Sequence, residues 1–381
     1  MALTDEDRDA RDRVVSWMRE AGLDITIDQV GNVIGTRKGN QDSNAPVLIG
    51  SHIDTVARGG RYDGTLGVLA GLEVIHCLND AVIETEHPIA VGFFTNEEGV
   101  RFQPDMMGSM VHQGHLPVDE MLLSTDRDGN HFQSELERIG YNGAVAIDTM
   151  RALAFLELHV EQGPVLERED ISIGAVQGVQ GLSWRQYTFN GTSNHAGTTP
   201  MSLREDAGYA AAEIIAFARR LAMEMGGDQV ATAGTVILEP NMVNVIPGKA
   251  TVTVDLRNTD NNRLIEAENL LDDFSKTIAE KEHLDLEVEI LARYDPTPFD
   301  ERVVDLIRTI ARDLGNTVRE MPSGAGHDAQ AFAPNCPTGM IFVPSVDGIS
   351  HNVKESTEDQ DIESGANVLL QTAIRIANHG L

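Results

Sequence analysis

Cysteines and basic residues are scarce in this sequence. Its 381 residues include two cysteines, Cys77 and Cys336, in dissimilar surroundings and far from each other in the chain. A disulfide framework and a cysteine-ligated metal site are therefore not expected. Lys and Arg number 29 against 60 Asp and Glu, and the formal net charge is −31. So acidic a chain lacks the basic patches that bind nucleic acid or an anionic membrane surface.

Long apolar runs are also missing. None reaches the length that spans a bilayer, and the charged amino terminus has no apolar segment typical of a signal peptide. We therefore expect a soluble, cytoplasmic protein with neither nucleic acid nor membrane among its partners. The length suffices for two domains with cores of their own. If the substrate is an anion, a few cations must line its site against the negative field of the whole chain.

Short apolar runs predict the buried strands of a layered fold. They cover residues 46–50, 88–95, 153–158 and 340–343, and the first two flank a helical stretch at 64–78. Alternation of buried strands and helices indicates an α/β fold with a mostly parallel central sheet. In such sheets, ligands bind outside the carboxyl ends of the strands. The segment 104–152 contains scattered glycines and is predicted to be rich in loops.

From about residue 176 the pattern changes. Half-exposed strands are predicted at 183–190, 230–238, 249–257 and 284–291, and helices at 202–225 and 261–281. The order β-α-β-β-α-β is that of a ferredoxin-like α+β unit. We therefore predict one domain from residues 1–175 and 294–381, with a second domain, 176–293, inserted into it.

Five residues with metal-ligand chemistry lie at the ends of the apolar runs or in the turns that follow. They are His52, Asp63, Glu98, His159 and His351. Three imidazoles and two carboxylates suit a pair of zinc-like ions if one carboxylate bridges them. Each residue alone also has an ordinary interpretation, as part of a surface turn or as a solvated acidic group. The hypothesis of a dinuclear metallohydrolase rests on the whole set.

Two further acidic residues adjoin these ligands. Glu97 precedes Glu98, and its side chain cannot easily point in the same direction, so it is free to act as a general base. The neighbouring carboxylate of like charge raises the pKa of one of the two, which suits a general base. Asp54 lies two residues after His52 on the same side of the strand end, where it can hold the imidazole in one tautomer. His195, in Asn-His-Ala-Gly, is a turn histidine on sequence logic alone.

Taken together, these segments resemble the hydantoinase/carbamoylase family of metal-dependent amidohydrolases. The family includes N-carbamoyl-L-amino acid hydrolases, allantoate amidohydrolases and β-ureidopropionases, and it is related to dinuclear zinc aminopeptidases and carboxypeptidases. The resemblance covers nearly the whole chain. The matching stretches are Gly-Ser-His-Ile-Asp-Thr (50–55), Gly-Gly-Arg-Tyr-Asp-Gly (59–64), Asn-Glu-Glu-Gly (96–99), Glu-Leu-His-Val-Glu-Gln-Gly-Pro-Val-Leu-Glu (157–167), Asn-His-Ala-Gly-Thr-Thr-Pro-Met (194–201), Val-Asn-Val-Ile-Pro-Gly (243–248), Ser-Gly-Ala-Gly-His-Asp-Ala (323–329) and Pro-Ser-Val-Asp-Gly-Ile-Ser-His-Asn (344–352).

The resemblance implies a zinc-peptidase-like catalytic domain and a smaller inserted lid domain that also forms a homodimer. It implies two divalent metal ions per subunit. Zinc is the first choice of metal, and manganese, cobalt or nickel are alternatives. His52, Asp63 and His159 would hold one ion, and Asp63, Glu98 and His351 the other. Glu97 would be the general base and acid.

The resemblance also implies a substrate site. Gln162, Asn244 and Arg257 match the positions that hold the substrate carboxylate, and His195 matches a lid histidine that reaches the reacting carbonyl, commonly in the partner subunit's site. The expected reaction is cleavage of the ureido C–N bond of a small carboxylate. The first candidate substrate is an N-carbamoyl-L-amino acid, which would give the amino acid, ammonia and carbon dioxide.

Several alternatives stay open at this point. Allantoate and β-ureidopropionate are also small carboxylates with a ureido group, and the same metals serve hydrolases of N-acyl amino acids or dipeptides. A binding protein that lost catalysis is a further alternative, against which the intact ligand set and Glu97 argue.

Overall fold

The computed structural model describes residues 1–41, 45–146 and 151–381. Over these residues the chain forms two compact units, the first comprising Met1–Val179 and Pro298–Leu381 and the second Gln180–Thr297. Each unit has its own hydrophobic core. The junctions predicted from the sequence lie at 175/176 and 293/294. The roles of the second unit as a lid and a dimerisation surface stay predictions.

The first part of the chain contains both helices and strands. The helices are α1 (Asp5–Glu20), α2 (Thr65–Asp80), α3 (Met107–His112), α4 (Val118–Leu122), α5 (Phe132–Ile139) and α6 (Val165–Arg168). The strands are β1 (Asp24–Ile27), β2 (Val33–Arg37), β3 (Val47–His52), β4 (Ile89–Phe94), β5 (Ala154–Val160) and β6 (Ile173–Val179). Helix α1 begins where the Thr4 hydroxyl accepts the Asp7 amide hydrogen, with three acidic residues in its first turn, as the positive helix amino terminus favours.

The chain then builds the second unit and returns to the first. The second unit contains β7 (Gly181–Asn190), β8 (Asn194–His195), α7 (Ala207–Met225), β9 (Val230–Glu239), β10 (Val245–Ile246), β11 (Lys249–Asn258), α8 (Asn261–Glu282) and β12 (Asp285–Tyr294). The return contributes β13 (Thr297–Pro298), α9 (Glu301–Asp313), β14 (Val318–Ser323), α10 (Asp328–Phe332), β15 (Thr338–Val343) and α11 (Asp359–His379). None of the helices in the described residues combines the length and the apolar character that crossing a membrane requires.

The central sheet of the first unit has the strand order β1-β2-β4-β3-β5-β15-β6-β13, with β14 paired to β6. Strand β3 runs parallel to both β4 and β5, and β5 runs parallel to β15. These four strands are buried along their whole length, as expected where helices cover both faces of a parallel sheet. The predicted α/β fold with a mostly parallel central sheet is confirmed.

Alternate residues of β5 show the two covered faces. On one face the Leu158 side chain packs so closely against Gly365 of α11 that a methyl group added to this glycine would overlap it. On the other face Phe155 stacks on Phe332 of α10, with ring centroids 4.0 Å apart, and Glu157 accepts the amide hydrogen of Ala329. His159 has the same strand parity as Phe155 and Glu157, so it lies on the α10 face.

The second unit is a four-stranded antiparallel sheet in the order β12-β7-β11-β9, with α7 and α8 packed against it. This is the strand order of a ferredoxin-like β-α-β-β-α-β unit. Its core contains Tyr187, Phe189, Ile214, Val252 and Leu271. The short strands β8 and β10 form a separate antiparallel pair.

Two sequence predictions need correction. The helix predicted from residue 202 begins at Ala207, because Asp206 caps it by accepting the Tyr209 amide hydrogen, and Met201–Leu203 form a separate 3₁₀ turn. The segment 104–152, predicted to be rich in loops, also contains the short helices α3, α4 and α5, of which α3 and α5 bury apolar side chains in the core. Residues 147–150 of that segment lie outside the described residues.

Candidate metal centre

The strand order of the sheet brings the predicted ligands together. Strands β4, β3, β5 and β15 are consecutive neighbours, so their carboxyl ends lie side by side. His52 is the last residue of β3, and His159 is the last but one of β5. Glu98 follows β4, and His351 comes from the loop after β15. Asp63 lies directly before the glycine at which α2 begins.

Asp63 is the centre of the cluster. Its Oδ1 atom lies 3.4 Å from His52 Nε2 and 3.2 Å from His159 Nε2. Its Oδ2 atom lies 3.3 Å from His351 Nε2, and that imidazole nitrogen lies 3.2 Å from Glu98 Oε2. Each oxygen of one carboxylate therefore faces a different group of donors, which is the arrangement of a bridging ligand.

The spacing of these atoms fits divalent cations. Ligand atoms that bind one zinc ion tetrahedrally at about 2.0–2.1 Å are about 3.3–3.4 Å apart. The N···O separations within the two groups, His52–Asp63–His159 and Asp63–Glu98–His351, run from 3.2 to 3.4 Å. In each group the imidazole and carboxylate donor atoms all lie within 4.8 Å of one another.

The hydrogen bonds of the buried imidazoles favour the same interpretation. His52 Nδ1 donates to the Asp54 carbonyl oxygen at 2.8 Å, and His159 Nδ1 donates to the Val160 carbonyl oxygen at 2.9 Å. A neutral ring in this tautomer turns the lone pair of Nε2 toward the Asp63 carboxylate. The Gly64 amide nitrogen lies 3.1 Å from the same His159 Nε2 atom. Lone pairs that face each other require a proton or a cation between them.

The carboxylates of the second group give a further indication. Glu98 Oε1 is buried and has no hydrogen-bond partner among the described residues, although a buried carboxylate oxygen without a partner is costly. Hydrogen bonds with Asp63 and Glu98 raise the pKa of His351 to about 10 in the metal-free protein. Burial would raise the pKa of Asp63, but hydrogen bonds from the three histidines outweigh burial and lower it far below its ordinary value. The donors therefore fit a pair of cations.

Glu97 lies beside this cluster and outside both donor groups. Its Oε2 atom lies 3.4 Å from His52 Nε2, and its side chain is almost fully buried. Burial raises the pKa of the Glu97 carboxyl well above its ordinary value; His52 opposes this shift, and Asp328 and Glu98 add to it. A buried carboxyl with a raised pKa that faces the metal ligands has the properties of a group that carries a proton.

The role predicted for Asp54 is divided between its backbone and its side chain. The backbone carbonyl oxygen, and not the carboxylate, accepts the hydrogen bond from His52 Nδ1. The carboxylate instead accepts the amide hydrogens of Glu97 at 3.2 Å and Glu98 at 3.4 Å. Asp54 thus fixes the tautomer of His52 through the main chain and supports the turn of the two glutamates through its side chain.

Three residues at this site have left-handed backbone. Asn96, Gln162 and His351 have φ angles of 60°, 58° and 52°, a region that residues other than glycine rarely adopt. Asn96 turns the chain between β4 and Glu97, and its side-chain amide donates to the carbonyl oxygens of Phe102 and Pro104. Backbone strain of this kind is found at many functional sites.

The glycine-rich loop 324–328, part of the matching stretch 323–329, packs beside the centre. His327 lies 4.5 Å from the ring centroid of His159 and, with Glu157, forms a third group of donor residues. This group is a poor metal site, because His327 Nε2 bonds to the Ser323 hydroxyl, and both Glu157 oxygens accept hydrogen bonds from Ser51 and Ala329. The sequence gives no sign of the part that Glu157 plays here.

The residues predicted to bind substrate lie in both units. Gln162, in the first unit, donates from Nε2 to Asp63 Oδ2 at 3.0 Å, and its Oε1 atom is buried without a hydrogen-bond partner in the described part of the chain. In the second unit, His195 and Asn244 adjoin each other where β8 meets β10. Arg257, on β11, donates from Nε and Nη2 to the Asp255 carboxylate.

His195 is exposed, and the protein holds its ring in one tautomer. Nδ1 accepts the amide hydrogens of Gly197 at 3.0 Å and Thr198 at 3.2 Å. The ring proton therefore lies on Nε2. That leaves His195 as a neutral hydrogen-bond donor at the surface of the second unit.

The sequence profile of peptidase family M20/M25/M40 matches residues 48–375. This chain belongs to that family. Enzymes of the family are metal-dependent, in agreement with the two donor groups described above. The match spans the first unit's ligands as well as the whole of the second unit.

Comparisons along the full length identify the branch of the family. The chain is 40% identical to the N-carbamoyl-L-amino-acid amidohydrolase of Rhizobium meliloti over 98% of this chain and 90% of the relative. It is 38% identical to the allantoate amidohydrolase of Escherichia coli strain K12, over 94% and 88%. A hydantoinase/carbamoylase family amidase of Burkholderia multivorans has a crystal structure with a TM-score of 0.98 and 44% identity, over 100% and 93%. The predicted family and the predicted class, a hydrolase of C–N bonds other than peptide bonds, are confirmed.

Proposed function

We propose that the first unit holds two divalent cations that share Asp63. His52, Asp63 and His159 would hold one cation, and Asp63, Glu98 and His351 the other. The observation that supports this proposal most directly is the geometry of the Asp63 carboxylate. Its Oδ1 atom lies 3.2–3.4 Å from the Nε2 atoms of His52 and His159, and its Oδ2 atom lies 3.3 Å from Nε2 of His351. Cations held by these residues would polarise a substrate carbonyl and lower the pKa of a bound water. We propose zinc first; manganese, cobalt and nickel accept the same donors.

Glu97 is proposed as the group that moves the proton. It takes a proton from the attacking water and returns it to the leaving nitrogen, so the same carboxyl serves as base and then as acid. Its burial, its 3.4 Å separation from His52 Nε2 and its raised pKa support this role. The Asp54 carboxylate holds the Glu97 backbone in place for both steps.

The proposed substrate is an N-carbamoyl-L-amino acid, which would give the amino acid, ammonia and carbon dioxide. Full-length relatives at 40% and 39% identity bear this activity in their names. Allantoate is the second candidate, favoured by the relative at 38% identity. β-Ureidopropionate follows, and N-acyl amino acids and dipeptides are more distant candidates.

The substrate contacts are proposed from both units. Arg257 offers a planar guanidinium that binds carboxylates in a bidentate manner, and in this structure the Asp255 carboxylate accepts its hydrogen bonds. Gln162 and Asn244 would add amide donors. Because Nδ1 of His195 accepts two backbone hydrogen bonds, the ring proton is on Nε2. We propose that this Nε2–H group donates a hydrogen bond to the developing oxyanion. We further propose a homodimer in which His195 serves the partner subunit's site.

A substrate panel tests the proposed reaction. Protein freed of metal and then reconstituted with zinc, manganese, cobalt or nickel is incubated with N-carbamoyl-L-amino acids of graded side-chain size, allantoate, β-ureidopropionate, N-acetyl amino acids and dipeptides. We expect ammonia release to be fastest with an N-carbamoyl-L-amino acid. Faster release from allantoate would assign the second function. Hydrolysis confined to N-acetyl amino acids or dipeptides would contradict ureido chemistry.

A further inference from the structure

A buried carboxylate joins the two loops that supply Asp63 and His351. Glu355 is 4% exposed and lies four residues after His351. Its Oε1 atom accepts the amide hydrogen of Tyr62 at 2.9 Å and that of Asp63 at 3.1 Å. The two loops are almost 300 residues apart in the chain, so this carboxylate is a long-range connection between them.

The second oxygen of Glu355 completes the connection. Oε2 accepts a hydrogen bond from the Ser350 hydroxyl at 3.2 Å, and that hydroxyl also lies 3.3 Å from Asp63 Oδ2. Because Ser350 precedes His351, one small network fixes the backbone of Asp63, a side-chain oxygen of Asp63 and the approach of His351. The fully satisfied carboxylate has the bonds that a buried charge requires.

The loop before Asp63 is shaped to fit this carboxylate. A methyl group added to Gly60 would overlap the Glu355 side chain, so glycine at this position lets the main chain approach it closely. The amides of Tyr62 and Asp63 lie just before the start of α2, where backbone N–H groups have no partner within the helix and favour a negative charge. Glu355 supplies that charge from the other loop.

We infer that Glu355 is a positioning residue for the cation shared by Asp63, Glu98 and His351. It holds the bridging carboxylate and the exposed His351 at the 3.3 Å separation at which both can bind one ion. This inference rests on the proposed metal ligands and is independent of the substrate. Residues that orient metal ligands through hydrogen bonds typically affect affinity by about 10–100-fold.

Zinc binding to the full-length protein tests this role. Metal-free wild type, Glu355→Ala, Glu355→Gln and Ser350→Ala are titrated with zinc alone against a chromogenic chelator of known affinity. We expect Glu355→Ala to weaken one of two zinc sites about 10–100-fold. Glu355→Gln should lose less, because its amide oxygen can still accept both backbone hydrogens. Ser350→Ala, which removes one hydroxyl, should also weaken that site.

A matched control separates positioning from general stability. Asp260 is a carboxylate in the second unit that caps α8 by accepting the amide hydrogens of Asn262 and Arg263. Asp260→Ala should lower the melting temperature and leave both zinc affinities unchanged. In the metal-free protein, hydrogen exchange of the peptide containing Tyr62 and Asp63 should quicken in Glu355→Ala and stay unchanged in Asp260→Ala.

Two results have separate meanings. If wild type binds two zinc ions and neither Glu355→Ala nor Ser350→Ala differs from it, the inference on Glu355 is overturned and the proposed ligands stand. If wild type itself binds no zinc, the proposed metal centre fails, and the inference fails with it. Should Glu355→Ala not fold, Ser350→Ala and Glu355→Gln decide, because wild-type affinity in both would overturn the inference.

Discussion

The Asp54 carboxylate accepts the backbone amide hydrogen of Glu97 at 3.2 Å, while the Asp54 carbonyl oxygen accepts the imidazole proton of His52. One residue therefore orients a proposed metal ligand through its main chain and the proposed proton carrier through its side chain. Burial raises the pKa of the Asp54 carboxyl, although His52 counteracts this. The two contacts can be separated by mutation, because substitution of the side chain leaves the carbonyl oxygen in place.

We expect Asp54→Ala to reduce turnover much more than it reduces zinc affinity. The Glu97 turn loses its support, and small displacements of a reacting group cost up to about a hundredfold in rate. Asp54→Asn keeps one acceptor oxygen and should lose less. Steady-state kinetics and zinc competition on both variants provide the measurement. A large fall in zinc affinity with unchanged kcat would mean that the carboxylate orients His52 after all.

The two neighbouring glutamates should separate in the same way. Glu97→Gln keeps the shape of the side chain and removes the base, so we expect zinc binding to persist and kcat to fall about 10²–10⁴-fold. Glu98→Gln should lower zinc occupancy, because Glu98 Oε2 faces His351 at 3.2 Å. Metal analysis and kcat of both variants test this assignment, and the opposite pattern would exchange the two roles.

Stability of the metal-free protein should fall as the pH rises from about 6.5 to 10. Hydrogen bonds with Asp63 and Glu98 raise the pKa of His351 to about 10. A histidine whose pKa is higher in the folded than in the unfolded protein stabilises the folded state. This stabilisation is fully present at a pH below the unfolded-state pKa, and it is lost as the pH rises through the folded-state pKa. Urea unfolding of chelator-treated protein across this range is the measurement.

His351→Gln is the control for that prediction, and its slope between pH 6.5 and 10 should be shallower than that of wild type. Only part of the slope should disappear, because carboxylates that outweigh burial also raise the pKa values of His52 and His159. An unchanged slope in His351→Gln would exclude a charged His351 beside Asp63 in the metal-free protein.

A subunit-exchange experiment tests the proposed action of His195 across a dimer. Inactive His195→Ala and inactive Glu97→Gln are mixed in equal amounts, with exchange followed by native mass spectrometry. In a random mixture of two-fold dimers, about a quarter of the sites would combine an intact Glu97 from one chain with an intact His195 from the other. Activity should approach that share. Confirmed exchange with no recovery would mean that His195 serves its own subunit.

Much of the fold is predictable because the apolar runs have distinctive lengths. The buried strands that end at His52, before Glu97 and just after His159 are short and apolar, and the sheet brings their carboxyl ends together as parallel strand packing requires. The short helices α3 and α5 are less visible, since their apolar residues are few and scattered glycines suggest loops. Tertiary burial of Met107 and Phe132 decides their structure.

The supporting residues of the site are harder to find than its donors. Glu355 is one of 60 acidic residues, and no local pattern distinguishes it from a solvated glutamate. Its partners, the amides of Tyr62 and Asp63, lie almost 300 residues away in the chain. The two contacts of Asp54 are not predictable from the sequence either, because residue identity does not tell whether the backbone carbonyl or the side-chain carboxylate makes a given hydrogen bond.

We propose that two cations sharing Asp63 make this chain a ureido-acid hydrolase. The most direct test measures ammonia release from an N-carbamoyl-L-amino acid by wild type and Asp63→Ala, each stripped of metal and then titrated with zinc. We expect no release without metal, full wild-type activity at about two equivalents of zinc, and no recovery in Asp63→Ala. Full activity of Asp63→Ala, or wild-type activity that persists after complete removal of metal, would contradict it.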